Sequence, residues 1–318
     1  MKKLITIFVV ITCVFSQTFG QTLKKKEEEL FKANNVKAQI KYDYKYVKGK
    51  LSSPGIKAAM NVYDEEGRLL EKNSFNPKGT VVFKEVFKYD SKGNRTFYER
   101  KGTTGEYKKE SDYDEESRLL SEKGYDGSAS FRTEYKYNSD NRVTEITYFA
   151  LNTVDEKRVY TYTGDKAVVE ILKGGKNLIS KLELLFDKNN NVLEEVVIGP
   201  DNKVLEKKLY SYNEQGDIVN EKKYRGSTLF YDVDYSYNDK GDLVTISESS
   251  NNDKPFIKKR YTYDNLGRVI KYEWKRNSGD DYNTKDFKYG SEKVCTEVVT
   301  FYPKTKYKLL SRYKYEFY

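Results

Sequence analysis

Apolar and aromatic residues alternate with polar ones along most of the chain, which is the pattern of strands with one face in water. In residues 260–270, Tyr261 and Tyr263 share one face, Asp264 opens a four-residue turn and Gly267 closes it. Asp favours the first position of a type I turn, and Gly favours the position where φ becomes positive. This stretch therefore predicts a β-hairpin whose return strand begins at Arg268.

The same hairpin recurs along the chain at intervals of 24 to 26 residues. A period held this closely indicates a repeat architecture in place of separate globular domains. A truncated eleventh copy follows at Tyr313. The second aromatic of each full copy is Tyr63, Tyr89, Tyr113, Tyr137, Tyr162, Phe186, Tyr212, Tyr237, Tyr263 or Tyr289.

The turn residues repeat together with the aromatic pair. Where Gly is replaced, the substitutes are Ser117, Asn141 and Asn190, and Asn is the residue that best tolerates the left-handed conformation after Gly. The turns that follow Tyr162 and Tyr289 are degenerate, so these copies are expected to be the weakest hairpins.

Many copies contain a second turn about halfway to the next, which gives two strands of roughly 8 residues per repeat. An earlier strand is predicted from Ile40 to Tyr46. The predicted fold is all-β, an antiparallel hairpin-repeat meander of about 20 strands that curls into an open spiral or shell-like sheet. The open form is favoured, because nothing in the first strand obviously specifies the last copy as its partner. A closed ring would have a diameter of roughly 30 Å.

The N-terminus has the features of an export signal. Lys2 and Lys3 precede a short apolar run, and Gly20 ends a segment suited to cleavage. We predict a signal peptide at 1–20, a helical or disordered leader at 21–36 and one repeat domain at 37–318. An alternative is lipidation at Cys13, which would anchor the mature chain to a membrane.

Composition argues against catalysis. The 318 residues include no His, and removal of the signal leaves Cys295 as the only cysteine, expected to be a small buried apolar side chain. No nucleophile elbow or Walker loop is present, and carboxylates are spread over turns and wet faces. We therefore predict no enzyme activity, no catalytic or metal-binding residue and no cofactor. Ligand-binding residues are not identified.

The net charge of +9 does not indicate a nucleic-acid partner, because Lys and Glu are interspersed along most strands. Residues 187–191 resemble the start of a calcium loop, but they lack its Gly and its distal Glu and fall on a hairpin turn. Tyrosines could stack on a ligand, although cross-strand contacts that hold the sheet together are the favoured role. Core packing is likewise favoured for Trp274, the single tryptophan.

The motif Tyr261-Thr262-Tyr263-Asp264-Asn265-Leu266-Gly267-Arg268-Val269 resembles the tyrosine–aspartate (YD) repeat of rearrangement-hotspot, or Rhs, proteins. The segments 235–243 and 210–218 are similar to it, and the resemblance extends over about residues 60–318. It implies hairpins that spiral into a hollow β-shell, which in some members encloses a toxin.

The resulting hypothesis is an exported, non-enzymatic binding or structural module in the periplasm, at the cell surface or outside the cell. Its partner would be a cell-surface polysaccharide or protein. Two alternatives remain, an outer-membrane β-barrel and a shell fragment of an Rhs-type toxin system. Membrane association would follow only from lipidation at Cys13 or from the barrel alternative.

Overall fold

The computed structural model describes residues 25–103, 105–250 and 253–318, and it contains a short helix and one antiparallel sheet. The predicted signal peptide and Cys13 lie outside the described residues. Helix α1 covers residues 25–33, within the predicted leader. The strands are β1 (Val36–Val47), β2 (Lys50–Leu51), β3 (Ile56–Tyr63), β4 (Leu69–Phe75), β5 (Val81–Tyr89), β6 (Arg95–Gly102), β7 (Gly105–Tyr113), β8 (Leu119–Tyr125), β9 (Ser130–Tyr137), β10 (Val143–Ala150), β11 (Thr153–Thr163), β12 (Lys166–Lys173), β13 (Asn177–Phe186), β14 (Val192–Ile198), β15 (Val204–Tyr212), β16 (Ile218–Arg225), β17 (Thr228–Tyr237), β18 (Leu243–Ser250), β19 (Phe256–Tyr263), β20 (Val269–Trp274), β21 (Asn283–Tyr289), β22 (Cys295–Tyr302) and β23 (Tyr307–Phe317).

The predicted antiparallel meander is confirmed, but the open spiral is wrong because the sheet closes into a ring. From β3 to β23 each strand pairs with the next, and β1 pairs with both β3 and β23. The closing seam runs in register from Gln39 opposite Tyr315 to Lys45 opposite Leu309. Short β2 only extends the end of β1.

Closure has a simple physical reason. An open meander would leave one edge of β1 and one edge of β23 with unpaired backbone groups, and pairing the two strands removes both edges at once. Side chains add to the seam, since Ser311 Oγ donates to Asp43 Oδ1 at 2.6 Å and Gln39 Nε2 donates to the Tyr315 hydroxyl at 3.0 Å.

The predicted repeat turn is present at Asp264 and Gly267. Asp264 Oδ1 accepts hydrogen bonds from the N–H groups of Leu266 and Arg268, and the Gly267 N–H donates to the Asp264 carbonyl. The φ angle of Gly267 is +75°, as the turn chemistry predicted. At Ser117, Asn141 and Asn190, which replace Gly in other copies, φ lies between +59° and +63°.

The turn after Tyr289 differs from its sequence-based prediction. Although it lacks the usual Asp and Gly, the Gly290 N–H donates to the Val294 carbonyl and the Lys293 N–H to the Gly290 carbonyl. Lys293 takes the left-handed position with φ +62°. The backbone therefore makes the same turn with residues that sequence reasoning classed as degenerate.

Tyrosine hydroxyls join successive repeats. In nine copies the aligned tyrosine donates to the carbonyl of the first residue of the preceding return strand, at 2.6 to 3.2 Å. We call these bonds the tyrosine staples. Phe186 has no hydroxyl and interrupts the series. The tyrosines therefore hold the sheet together as predicted, although they do so mainly by hydroxyl-to-carbonyl bonds and less by ring contacts.

Most buried side chains lie on the face that carries the staples, which the closed sheet turns inward. Part of this inner wall is an apolar cluster on strands β12 to β15. Its buried members are Ala167, Val169, Leu182, Leu184, Val192 and Tyr210.

Candidate functional site

Helix α1 lies over the end of the ring that carries the repeat turns. Phe31 is 2% exposed, and its ring meets the rings of Tyr63 and Tyr315 with centroids 4.7 and 6.2 Å apart. The helix backbone also approaches the turn at Gly67 closely, because a Cβ placed there would stand 2.2 Å from the Glu28 carbonyl oxygen. Gly67 therefore serves two purposes, a positive φ of +75° and room for the helix.

Ion pairs fix the two ends of α1 to turns that are far apart on the ring. Lys32 pairs with Glu66 at 2.5 Å, in the turn between β3 and β4. Lys26 pairs with Asp242 at 3.3 Å, after the turn between β17 and β18. The helix consequently lies across part of the mouth of the ring, above β18 to β23 and β1.

Beneath α1 lies a cavity of about 810 Å³, within the size range of small-molecule sites. Leu30 and Phe31 of the helix form its roof. Its floor is apolar and aromatic and belongs to the inner wall. The floor residues are Val269, Phe287, Tyr289, Cys295, Val298, Tyr313 and Tyr315.

Some of the charged side chains at the cavity form ion pairs, and others do not. At the mouth, Lys26 is paired with Asp242, and Arg268 is paired with Asp264. Lys240 and Lys293 have no carboxylate partner within the described part of the chain, although Lys240 Nζ donates to the Asn265 carbonyl. Glu27 of α1 also lines the cavity, so the four basic residues exceed the three carboxylates there by one.

Four titratable groups line the cavity floor, and two of them, Cys295 and Tyr313, do not form staples. Burial raises the pKa of the Cys295 thiol to about 11, so the thiol is protonated and a weak nucleophile near neutral pH. Burial likewise raises the pKa of Tyr313 to about 12. Among the described residues, the Tyr313 hydroxyl has no hydrogen-bond partner, so it remains a protonated donor inside the cavity.

Elsewhere the inner wall carries carboxylates that are hydrogen-bonded to tyrosines or paired with lysines. The Tyr98 hydroxyl donates to Glu85 Oε1 at 2.7 Å, and the Tyr231 hydroxyl donates to Glu221. Lys208 and Glu195 form a buried pair with 3.6 Å between Nζ and Oε2. Burial raises the pKa of Glu195 despite this lysine, and its Oε1 has no hydrogen-bond partner among the described residues.

The residues that sequence analysis weighed as ligand sites have structural roles. Asp187 Oδ1 accepts from the N–H groups of Asn189 and Asn191, as a hairpin turn requires. Trp274 stacks on Tyr272 with centroids 5.0 Å apart, and Lys285 Nζ lies 5.8 Å from the centroid of the indole. Trp274 is thus packed against neighbouring side chains.

Within residues 25–103, 105–250 and 253–318, no cluster of three or more His, Cys, Asp or Glu could hold a metal ion. No helix in the same ranges has the length and apolar character needed to cross a membrane.

No curated protein matches the chain. Among solved structures, the Tc holotoxin pore of Photorhabdus luminescens is 13% identical with a TM-score of 0.30, over 86% of this chain and 18% of that chain. A TcdB2–TccC3 structure is 13% identical with a TM-score of 0.28, over 85% and 19%. A porin-like protein from Bacteroides uniformis is 8% identical with a TM-score of 0.34, over 89% and 98%. The chain spans less than a fifth of the length of these toxin chains.

The sequence itself carries the family assignment. The family model described as Teneurin YD-shell matches residues 15–316. That range contains all the repeats described above, and it confirms the YD-repeat resemblance drawn from the hairpin motif. The chain therefore belongs to the Teneurin YD-shell family.

Proposed function

We propose that this protein is an exported, non-enzymatic shell module that encloses a guest inside its closed sheet. The observation that carries the proposal is the combination of a closed ring of strands with a helix across part of its mouth. A ring without free edges separates an inner wall from solvent, and α1 restricts entry at the turn end. Family membership supports the shell, and the YD-repeat resemblance makes the shell of an Rhs-type toxin system the leading version.

The side chains of the inner wall are better suited to binding a guest than to catalysing its reaction. Its carboxylates are engaged by lysines and tyrosines, as Glu85 is by Tyr98 and Glu195 is by Lys208. The Cys295 thiol is protonated at neutral pH and has no histidine to activate it, since the chain contains none. Such a wall offers hydrogen bonds and aromatic surface to a guest without supplying a reactive group.

Cys295 provides the test of enclosure, because it faces the cavity under α1. In protein with Cys13 changed to Ser, we expect a small maleimide to label Cys295 slowly and a polyethylene-glycol maleimide of several kilodaltons to label it far more slowly still. The matched control is a cysteine at Ser291, an exposed turn residue, in a Cys295→Ser background. Equal labelling of Cys295 and the control by the large reagent would refute the enclosure.

A second candidate is the surface-binding role, in which the exported module binds a polysaccharide or protein at the cell surface. The repeated aromatic strands support it, because tyrosine is common at recognition surfaces. Cell fractionation followed by binding to polysaccharide arrays tests this role. Recovery from the cytoplasm alone would contradict export, and recovery only from detergent-solubilised outer membrane would support the outer-membrane alternative.

A further inference from the structure

The geometry of the capped cavity points to a specific class of guest. We propose that the space between α1 and the inner wall binds an amphipathic organic anion, with its apolar body on the cavity floor and its acidic group near Lys240 and Lys293. This inference rests on the proposed enclosing function and names the ligand class for the same site.

The floor defines the apolar part of the ligand. Phe287, Val269 and Val298 contribute hydrocarbon surface, and the roof adds Leu30 and Phe31. The hydroxyls of Tyr289 and Tyr315 are already occupied by the staples, so these residues offer ring surface to a ligand. A hydrocarbon or aromatic body therefore gives up few hydrogen bonds to water when it enters the cavity. A sugar would leave many hydroxyl groups without hydrogen-bond partners.

The mouth defines the charge of the ligand. Lys240 and Lys293 lie on turns at the cavity rim, and neither has a carboxylate partner among the described residues. Asp242 and Asp264 are already paired with Lys26 and Arg268, and Glu27, the other carboxylate at the cavity, offsets one of the two lysine charges. An anion is therefore attracted to the rim, and a cation is repelled by it.

Tyr313 supplies the polar anchor between these two regions. Tyr313 lines the cavity, and its hydroxyl has no hydrogen-bond partner in the described part of the chain. As a protonated phenol it can donate one hydrogen bond to an acceptor on the ligand. A few placed polar groups on a mostly apolar surface are the usual composition of a small-molecule site.

The test uses 8-anilinonaphthalene-1-sulfonate, an aromatic anion whose fluorescence increases in apolar surroundings, and Nile red as a neutral apolar probe. The key variant is Lys240→Glu with Lys293→Glu. The matched control is Lys92→Glu, because Lys92 holds the same turn position as Lys240 and its Nζ likewise donates to a carbonyl of the next repeat turn, that of Glu115. Tyr313→Phe tests the anchor without changing volume appreciably.

We expect saturable binding of one anionic probe per chain, weakened about fivefold or more by the double charge reversal and unchanged by Lys92→Glu. Tyr313→Phe should weaken binding about threefold or more. Equal binding by the double variant and the control, or Nile red bound as tightly as the anion, would overturn the ligand class. Absence of anion binding while Cys295 stays protected would overturn it too, and would leave the shell function standing.

Discussion

Docking of α1 depends on Gly67, and replacing that residue by alanine separates docking from turn strain. Alanine in the left-handed region costs about 1–2 kcal/mol at any repeat turn. At Gly67 the added Cβ also meets the Glu28 oxygen at 2.2 Å and the Lys32 nitrogen at 2.8 Å. Gly216 is the matched control, because its φ is +85° and a Cβ there meets nothing within 4 Å.

The size of the docking effect follows from the burial of Phe31. Burying a phenylalanine contributes about 1.5–3 kcal/mol. A helix displaced by roughly 1 Å forfeits a quarter to a half of the dispersion energy of the contacts it loses. A loss of about 1–2 kcal/mol raises the undocked fraction of α1 by roughly 5- to 30-fold.

Limited trypsin digestion at Lys32 measures that fraction directly, since cleavage within the helix requires local opening. Both variants should lose about 1–2 kcal/mol in thermal or denaturant melts from turn strain alone. Only Gly67→Ala should be cleaved faster at Lys32, by roughly 5- to 30-fold. Equal cleavage rates in Gly67→Ala and Gly216→Ala would refute the docking account of Gly67.

Three further predictions concern the repeat itself. Gly267→Val should destabilise the protein by about 1–3 kcal/mol and Gly267→Asn by much less, because only the β-branched residue strongly resists the φ of +75°. Equal melting temperatures for the two variants would show that the positive φ does not determine stability at this position. Tyr263→Phe removes a 2.7 Å staple to Leu243 and should lower the free energy of unfolding by about 0.5–1.5 kcal/mol in a denaturant melt. Tyr307→Phe, on an exposed ring, should leave it unchanged, and equal losses in the two variants would contradict the staple. Because burial raises the pKa of Glu195, the folded state binds the extra proton and loses stability as the pH rises above the unfolded value of 4.5. Glu195→Gln should therefore gain stability relative to the parent as the pH rises above 4.5. A difference that falls with pH would mean that the ion pair with Lys208 dominates.

Local features of the fold could be predicted from the sequence because they depend on residues close together in the chain. The Asp264 carboxylate and the Gly267 backbone act within one turn, so residue type alone predicts the geometry. The period of the repeats also predicted the meander and its strand count. Lys293 shows the limit of this reasoning, since the flanking strands impose the same turn on an unfavourable residue.

Closure of the ring depends on strands that are some 270 residues apart in sequence, such as Gln39 and Tyr315. No local pattern marks such a pair, because β1 and β23 alternate like any other strand. The available indication was that a lone first strand and a half-hairpin at the last copy each lack one partner. In the structure these two strands pair with each other. Sequence analysis instead treated them as evidence for open ends.

The candidate site was invisible in the sequence for a related reason. Its residues come from α1, β1 and the turns and strands between β17 and β23, and none belongs to a recognised motif. The leader at 21–36 was predicted to be helical or disordered, with no indication of where a helix would dock. Gly67 gives α1 the room to dock, but in the sequence it cannot be distinguished from the other turn glycines.

The central claim is that β1 and β23 seal the sheet, and disulfide formation across that seam tests it most directly. Ile40 lies opposite Lys314 across the seam and opposite Met60 in β3. In a Cys295→Ser background without Cys13, we expect oxidation to cross-link Ile40→Cys with Lys314→Cys within one chain as readily as Ile40→Cys with Met60→Cys. Formation of the Met60 cross-link without the Lys314 cross-link would mean that the ring is open.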